Sequence, residues 1–233
     1  MAELDINLHP AQLQIFQSNK RFKIVAAGRR FGKSYLSAWL LLINAIQSES
    51  KDVFYIAPTF QQAKDIMWSM LKELGRDLIV QAYENTAVLT LINGRKIYLK
   101  GSDRPETLRG VGLSYVVLDE YASMKPIVWE QIIRPTLADV KGRALFIGTP
   151  AGKNHFFDLY QDAIEDEENW DAFQFTSVDN PFLPQEEIEA ASKSMSSMSF
   201  RQEFEASFET FSGGIFKEDW FTEDEEPEEG NYC

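Results

Sequence analysis

The sequence predicts an α/β fold in which a mostly parallel sheet is sandwiched by helices. First, short apolar segments alternate with segments of helical periodicity along most of the chain, as in parallel sheets with helices on both faces. Second, a length of 233 residues fits one large domain, or one domain with a small appendage. Third, a composition of 44% apolar and 25% charged residues excludes wholesale disorder.

The strands are predicted from short apolar runs that end in turn-forming or polar residues. The predicted buried strands are 21–27, 53–57, 113–118 and 144–148, with a further strand near 172–176. Asn93-Gly94 lies between two further apolar segments, 86–92 and 96–100, and this dipeptide is typical of a β-hairpin.

The helices are predicted from apolar residues at helical spacing and from start signals. Pro58 ends the second strand, and Thr59 is a suitable N-cap for the helix that follows it. The predicted helices are 33–47, 60–74, one near 127–133, one after Asn154, 186–193 and 200–208.

Composition also limits the class of protein. No apolar run reaches the roughly 18 residues that a membrane span needs, and the N-terminus lacks the pattern of a signal peptide. The single cysteine, Cys233, excludes a disulfide framework, and the separation of His9 and His155 argues against a histidine-built zinc site. We therefore expect a reducing, cytoplasmic setting.

The net charge of −13 is unevenly distributed. Residues 1–157 hold 20 Lys and Arg against 14 Asp and Glu, whereas residues 158–233 hold 3 against 22. The acids concentrate in 158–171 and 218–229, which favours a solvated helix face and a disordered tail, with an interaction tail or a linker as the alternative. The positive first part of the chain could still present a basic stripe to a polyanion.

A phosphate-binding loop follows the first predicted strand. The segment AGRRFGKS lies between a strand and a helix, the context that a P-loop requires, although an alanine replaces the first glycine of GxxxxGK[ST]. Backbone N–H groups at the helix start would face phosphates, Lys33 would contact the β- and γ-phosphates, and the Ser34 hydroxyl would ligate Mg²⁺. The loop residues are Ala27, Gly28, Arg29, Arg30, Phe31, Gly32, Lys33 and Ser34.

Two carboxylates follow the third buried strand. Because strands of an open α/β sheet deliver such residues to the edge where the P-loop lies, Asp119 and Glu120 are predicted beside it. Asp119 would hold Mg²⁺ through water, and Glu120 would accept a proton from the attacking water or orient it. Thr149, at the end of the next strand, could sense the γ-phosphate, or could belong to an ordinary strand-to-loop turn.

The motifs AAGRRFGKS, VVLDE and IGTPAG, in this order and spacing, resemble the ATPase domain of the large terminase subunit of tailed bacteriophages. The resemblance covers roughly residues 8–216. It implies a P-loop NTPase fold of the RecA-like (ASCE) type, with a small C-terminal helical lid subdomain. It also implies that ATP and Mg²⁺ are the cofactors.

The resemblance implies further site residues. Gln12, in the segment LHPAQ, looks like the residue that reads the adenine edge, with a polar N-terminal turn as the alternative. Arg29, and more weakly Arg30, match an arginine of the family's loop that reaches the γ-phosphate. Arg109, in the segment LRG, matches an arginine finger that acts across a subunit boundary, with a surface arginine that pairs with Asp103 or Glu106 as the alternative.

The domain organisation is expected to be an ATPase core (1–177), a lid subdomain (178–211) and an acidic linker or tail (212–233). The segment FRQEF (200–204) also occurs in the family, and Phe200, Phe204 and Phe208, spaced at i, i+4 and i+8, favour core packing. Family members carry a second, nuclease domain. We expect none within this chain, and therefore no DNA cleavage by it.

The function that the resemblance implies is ATP-driven translocation of double-stranded DNA into a procapsid. The expected partners are a homo-oligomeric ring of this subunit (a pentamer), the portal protein and the small terminase subunit, in the host cell cytoplasm at the portal, without a membrane. The alternatives are a monomeric, nucleic-acid-stimulated P-loop ATPase of helicase type and a non-catalytic nucleotide-binding adaptor. Candidate DNA contacts, each also explained as a solvated charge, are Arg95, Lys96, Lys100, Lys141 and Arg143.

Overall fold

A single eight-stranded sheet forms the centre of the computed structural model, which describes residues 6–209. The strands are β1 (Phe22–Ala27), β2 (Asp52–Ala57), β3 (Ile79–Tyr83), β4 (Val88–Leu91), β5 (Lys96–Gly101), β6 (Leu113–Asp119), β7 (Arg143–Gly148) and β8 (Trp170–Phe175). The helices are α1 (Pro10–Gln17), α2 (Lys33–Gln47), α3 (Phe60–Leu74), α4 (Arg134–Thr136), α5 (His155–Glu165), α6 (Gln185–Ser194) and α7 (Ser197–Phe204).

The strand order is β3-β4-β5-β2-β6-β7-β1-β8. The pairings β5–β2, β2–β6, β6–β7, β7–β1 and β1–β8 are parallel, whereas β3–β4 and β4–β5 are antiparallel. The prediction of a mostly parallel α/β sheet is therefore confirmed, and so is the hairpin around Asn93-Gly94, which joins β4 to β5.

Helices cover both faces of the sheet. On one face α1, α2 and α3 pack over side chains such as Val25, Tyr55 and Val117. On the other face α5 and the segment Val128–Ile133 pack over the alternate residues of the same strands. Since both faces are buried, β1 and β6 are apolar almost throughout, which is why the sequence shows them as continuous runs rather than as alternating patterns.

Four local features differ from the sequence prediction. Helix α1 and strand β3 were not predicted. The predicted helix near 127–133 has π-type hydrogen bonding over Val128–Ile133 before it continues into α4. The predicted helix 200–208 is wrong beyond Phe204, where α7 ends.

Phe208 therefore lies beyond α7 and does not share a helix face with Phe200 and Phe204. Its ring packs instead 5.6 Å from that of Phe156 and 5.3 Å from that of Phe157, both on α5. Phe200 and Phe204 do share one face of α7, with their rings stacked at 5.1 Å. Core packing thus accounts for Phe208, while Phe200 and Phe204 are only half-buried.

Residues 6–209 contain no helix that is both long and apolar enough to cross a membrane. The predicted acidic tail, 212–233, lies outside the described residues. The boundary between a core and a lid near residue 177 stays a prediction.

Candidate functional site

Three neighbouring parallel strands bring the predicted motifs together. β7 lies between β6 and β1, and all three run in the same direction. Their carboxyl ends lie at one edge of the sheet, so the P-loop after β1, the acidic pair at the end of β6 and Thr149 after β7 are neighbours. Ligands of open α/β sheets bind at this edge.

The P-loop ends in a helix start that no side chain caps. Gly32 is the N-cap of α2 and adopts a φ of +95°, a left-handed conformation that favours glycine. In an α-helix the first amides have no partner within the helix, and together with the helix dipole they form a site for anions. An uncapped helix start therefore lies at the position that the motif predicts.

Phe31 anchors the loop to the core. Its side chain is fully buried, stacks on Phe175 at 5.2 Å and meets the edge of His9 at 5.0 Å. The Nε2 atom of His9 lies 2.9 Å from the carbonyl oxygen of Phe31. Because these contacts fix the middle of the loop, its amides are held in place before any ligand arrives.

Lys33 is directed into the loop. Its Nζ atom donates hydrogen bonds to the carbonyl oxygens of Ala27 at 2.9 Å and Gly28 at 3.0 Å, and to Thr149 Oγ1 at 3.0 Å. Burial lowers the pKa of Lys33, and the nearby carboxylates of Glu120 and Asp119 oppose this shift. A phosphate would thus meet a cation that already lies in the loop.

Asp119 is buried and held by two donors. Its Oδ2 accepts a hydrogen bond from the Tyr55 hydroxyl, and its Oδ1 accepts one from the Glu120 backbone N–H at 2.9 Å. Burial raises the pKa of Asp119, while the Tyr55 hydroxyl and the Lys33 ammonium oppose the shift. The carboxylate is therefore fixed in orientation, and it retains lone pairs for a further partner.

Glu120 has an unusual backbone conformation. Its φ of +53° lies in the left-handed region, where a non-glycine residue is uncommon and strained. Gly148 makes room for it, because a Cβ at that position would lie 3.2 Å from Glu120 Cα. The pKa of the Glu120 carboxyl is raised by burial and then by Asp119, and is lowered by Lys33.

Lys33, Glu120 and Thr149 line a cleft of about 510 Å³. Its lining is mostly charged or polar, which suits a phosphorylated ligand better than an apolar one. The lining residues are Arg29, Arg30, Lys33, Glu120, Ser123, Thr149, Pro150, Ala151, Gln202 and Glu203.

The chain that follows β8 wraps the first part of the P-loop. The Ser177 hydroxyl donates to the Arg29 carbonyl oxygen and Asn180 Nδ2 donates to the Arg30 carbonyl oxygen, both at 2.6 Å. Glu203, near the end of α7, forms an ion pair with Arg29. A Cβ on Gly28 would lie 2.5 Å from the Phe204 carbonyl oxygen, so only glycine allows this close approach.

Gln12 lies next to the P-loop, but its amide bonds to the protein itself. Its Oε1 accepts from the His9 backbone N–H at 3.2 Å, and its Nε2 donates to the Gly32 carbonyl oxygen at 3.0 Å. The side chain is buried and lines a second cavity of about 310 Å³ beside the loop, together with Tyr35 and Phe182. Gln12 thus lies beside this cavity, and both ends of its amide are hydrogen-bonded within the chain.

Arg109 does not line the cleft. It follows the 3₁₀ turn Pro105–Leu108, and its side chain is exposed. Among residues 6–209 it forms no ion pair or side-chain hydrogen bond, so pairing with Asp103 or Glu106 does not explain it.

The candidate DNA contacts do not form one cluster. Lys100 lies over the Tyr98 ring at 5.6 Å, at the carboxyl end of β5, whereas Arg95 and Lys96 lie at its amino end. Arg143 donates to the carbonyl oxygens of Ser18 and Lys20, so its charge has a structural role. The exposed Lys141 precedes it at the same end of β7.

The residues that could hold a divalent cation are few. Within the described part of the chain, no group of three or more His, Cys, Asp or Glu side chains could bind a metal by itself. The Ser34 hydroxyl and the Asp119 carboxylate offer hard oxygen ligands of the kind that Mg²⁺ prefers when phosphates and waters complete its shell.

Several residues whose contacts hold this site together were not predicted from the sequence. Among them are Tyr55, Ser177, Asn180 and Glu203. Tyr55 could have been suspected, since a hydroxyl in the apolar run VFYIA must find a partner when buried. The other three act through contacts far apart in sequence, such as the 174 residues between Arg29 and Glu203, which no local pattern reports.

Comparison with known proteins identifies the family of the chain. Residues 24–223 match the family model described as terminase large subunit, T4likevirus-type, N-terminal. The large terminase subunit of Escherichia phage T5 is 31% identical over 202 residues, covering 84% of this chain and 46% of that protein. The large terminase subunit of Thermus phage G20c is 29% identical over 172 residues, covering 65% of this chain and 36% of that protein.

Solved structures show the same fold. The large terminase ATPase domain of Thermus phage P74-26 has a TM-score of 0.76 and 25% identity, covering 88% of this chain and 95% of that domain. The large terminase of the HK97 bacteriophage has a TM-score of 0.70 at 13% identity, covering 86% of this chain and 50% of that protein, and this likeness concerns the fold alone. The chain spans less than half the length of the T5 and G20c subunits. The family match over residues 24–223, the sequence identity to the T5 subunit and the shared fold show the family of this chain. It belongs to the terminase large subunits of the T4-like-virus type and corresponds to their N-terminal part.

Proposed function

We propose that this chain is the ATP-hydrolysing motor domain of a viral DNA-packaging terminase. The observation that carries the proposal is that Lys33, Thr149 and Glu120 line one polar cleft at the carboxyl edge of the sheet, with the buried Asp119 next to Glu120 in the chain. The name of its structural relative from Thermus phage P74-26, a large terminase ATPase domain, supports the same activity.

ATP would bind with its phosphates at the start of α2 and its base toward the cavity beside Gln12 and Tyr35. Ser34 and Asp119 would hold Mg²⁺, which when bound supplies charge neutralisation to the phosphates. Lys33 would exchange its loop carbonyl partners for phosphate oxygens, which are stronger acceptors for an ammonium group.

Glu120 is the proposed base. Its partial burial raises the pKa of the carboxyl, which makes the group a better proton acceptor, while Lys33 keeps the ionised form favourable. Water activation by such a group contributes about 10²–10⁴ in rate.

Two arginines are candidates for stabilising the transferred phosphoryl group. Arg29 lines the cleft of its own subunit. Arg109 is exposed and absent from the cleft lining, so it would act on a neighbouring subunit. An arginine in this role is worth about 10³–10⁵ in rate in GTPases.

The motor function extends beyond the cleft. Loss of phosphate would be relayed through Thr149 and the P-loop to a lid formed by residues 178–211, which contacts the loop through Asn180 and Glu203. Residues 1–177 would be the ATPase core, and 212–233 an acidic linker to a nuclease domain. Double-stranded DNA, a pentameric ring of this subunit, the portal protein and the small terminase subunit are the proposed partners, in the host cytoplasm at the procapsid portal.

The position of Arg29 in the cleft favours a second candidate, a monomeric P-loop ATPase that is stimulated by nucleic acid and needs no neighbour. ATP turnover per subunit over a wide range of protein concentration separates the two. Turnover that rises with concentration and is lost in Arg109→Ala supports a site completed by a neighbour. Constant turnover that survives in Arg109→Ala supports the monomeric enzyme.

Binding of ADP to wild type and to Lys33→Met tests the nucleotide site itself. We expect the variant to bind at least about tenfold more weakly, because a charge-assisted hydrogen bond is lost. The exposed Lys125→Met is the matched control and should bind as wild type does. Equal affinity of Lys33→Met and wild type would contradict the assignment of the cleft.

A further inference from the structure

Glu203 contacts the P-loop arginine twice. Its carbonyl oxygen, near the end of α7, accepts a hydrogen bond from the Arg29 backbone N–H at 2.6 Å. Its carboxylate forms an ion pair with the Arg29 guanidinium. The Glu203 side chain is 21% exposed and that of Arg29 is 66% exposed, so the pair lies at the mouth of the cleft rather than in the core.

Two carboxylates act on the Arg29 guanidinium. Glu203 raises the pKa of Arg29 most strongly, through its hydrogen bond and its charge, and the charge of Glu120 raises it further. Arg29 also lines the same cleft as Lys33 and Glu120. Phosphates bound at the start of α2 would add a second strong acceptor for the same guanidinium.

We propose that Glu203 is a positioning residue that competes with the γ-phosphate for Arg29. Without a triphosphate, the carboxylate holds the guanidinium at the cleft mouth and ties α7 to the P-loop. When a γ-phosphate is present, Arg29 exchanges the carboxylate for phosphate oxygens, and one of the two Glu203 contacts with the loop is released. This inference rests on the proposed function, because it requires that the cleft binds nucleoside triphosphates.

The competition predicts a selective effect on affinity. A triphosphate that binds Arg29 must first break the Arg29–Glu203 ion pair. A diphosphate that does not contact Arg29 leaves this ion pair intact. The ion pair therefore weakens the binding of a triphosphate and leaves that of a diphosphate unchanged. A role that is only structural would alter both affinities together.

The experiment measures the dissociation constants of ADP and ATP-γ-S for the full chain and for Glu203→Gln, which removes the charge and keeps the shape and the backbone contact. We expect ATP-γ-S to bind about two- to fivefold more tightly to the variant, the range set by a partly exposed ion pair, while ADP affinity is unchanged. In an Arg29→Ala background, Glu203→Gln should have no further effect.

The matched control is Glu209→Gln, which breaks the exposed Arg201–Glu209 pair (2.7 Å) in the same part of the chain and should leave both affinities at wild-type values. A thermal unfolding curve verifies that each variant is folded, and Glu203→Asp, with a weakened pair, should give an intermediate ratio of affinities. An unchanged ratio, or a parallel change for both nucleotides, would overturn the inference while leaving the nucleotide site intact. If neither nucleotide binds to wild type, the proposed function itself fails.

Discussion

The Lys33 ammonium donates a hydrogen bond to the Thr149 hydroxyl at 3.0 Å, and this contact joins the P-loop to the end of β7. Thr149 in turn donates to the Ala27 carbonyl oxygen at 3.3 Å. The hydroxyl therefore ties together the two ends of the phosphate-binding loop and the strand next to the acidic pair. Its position is why Thr149 is proposed to relay the state of the nucleotide.

Replacing Thr149 by valine should lower ATP turnover by about tenfold, because a hydrogen bond to a charged group is worth about 1.5–3 kcal/mol and valine keeps the shape. Steady-state turnover at saturating ATP is the measurement. Thr149→Ser keeps the hydroxyl and should retain most of the activity. Wild-type turnover in Thr149→Val would show that the contact is dispensable.

Gly28→Ala should destabilise the fold by about 1–3 kcal/mol, because its Cβ would lie 2.5 Å from the Phe204 carbonyl oxygen and 2.9 Å from the Ser177 backbone nitrogen. Urea unfolding gives the free-energy difference. Gly110→Ala is the control: its Cβ would meet nothing within 4 Å, so its cost is limited to that of the positive φ, about 1 kcal/mol. Equal stability of Gly28→Ala and wild type would contradict the close approach of Gly28 to the Phe204 carbonyl oxygen.

Lys23 should make stability depend on pH. Its ammonium is buried beneath α1, where it donates to the Ile15 carbonyl oxygen at 2.7 Å, and burial, with Arg143 as a second cause, lowers the pKa of Lys23 from 10.5 to about 8. Between pH 8 and 10.5 the unfolded chain therefore binds more protons at this residue than the folded chain does, so the free energy of unfolding rises with pH there.

Comparison with Lys23→Met isolates this effect. From about pH 8 to about pH 9.5, wild type should gain on the order of 1–2 kcal/mol of stability relative to the variant, as measured by urea unfolding. The exposed Lys125→Met should show a constant difference from wild type over the same range. A constant difference for Lys23→Met as well would mean that Lys23 titrates as it does in the unfolded chain.

The parts of the fold that could be predicted are those that local sequence determines. The strand, loop and helix around Lys33 follow one another within a few residues, and the apolar run before Asp119 marks a strand buried on both faces. Strand β3 was not predicted because it lacks an apolar pattern. It lies at the edge of the sheet, and most of its residues are exposed. Helix α7 ends at Phe204 because the P-loop amide of Arg29 takes up the Glu203 carbonyl, a tertiary contact.

In the candidate site, too, local sequence predicts some residues and tertiary packing determines the others. Lys33, Asp119 and Glu120 could be proposed from motifs, whereas the wrapping of the loop by Ser177 and Glu203 depends on how distant segments pack. The assignment of chemical roles to all of these residues remains a prediction for experiment.

Steady-state ATP turnover of Glu120→Gln, beside ADP binding to the same protein, tests the central claim most directly. The variant keeps the size and the backbone of Glu120 but cannot accept the proton of the attacking water. We predict that turnover per subunit falls by about 10²–10⁴, while ADP affinity stays within about threefold of wild type. Unchanged turnover in Glu120→Gln would contradict the claim that this cleft hydrolyses ATP through its acidic pair.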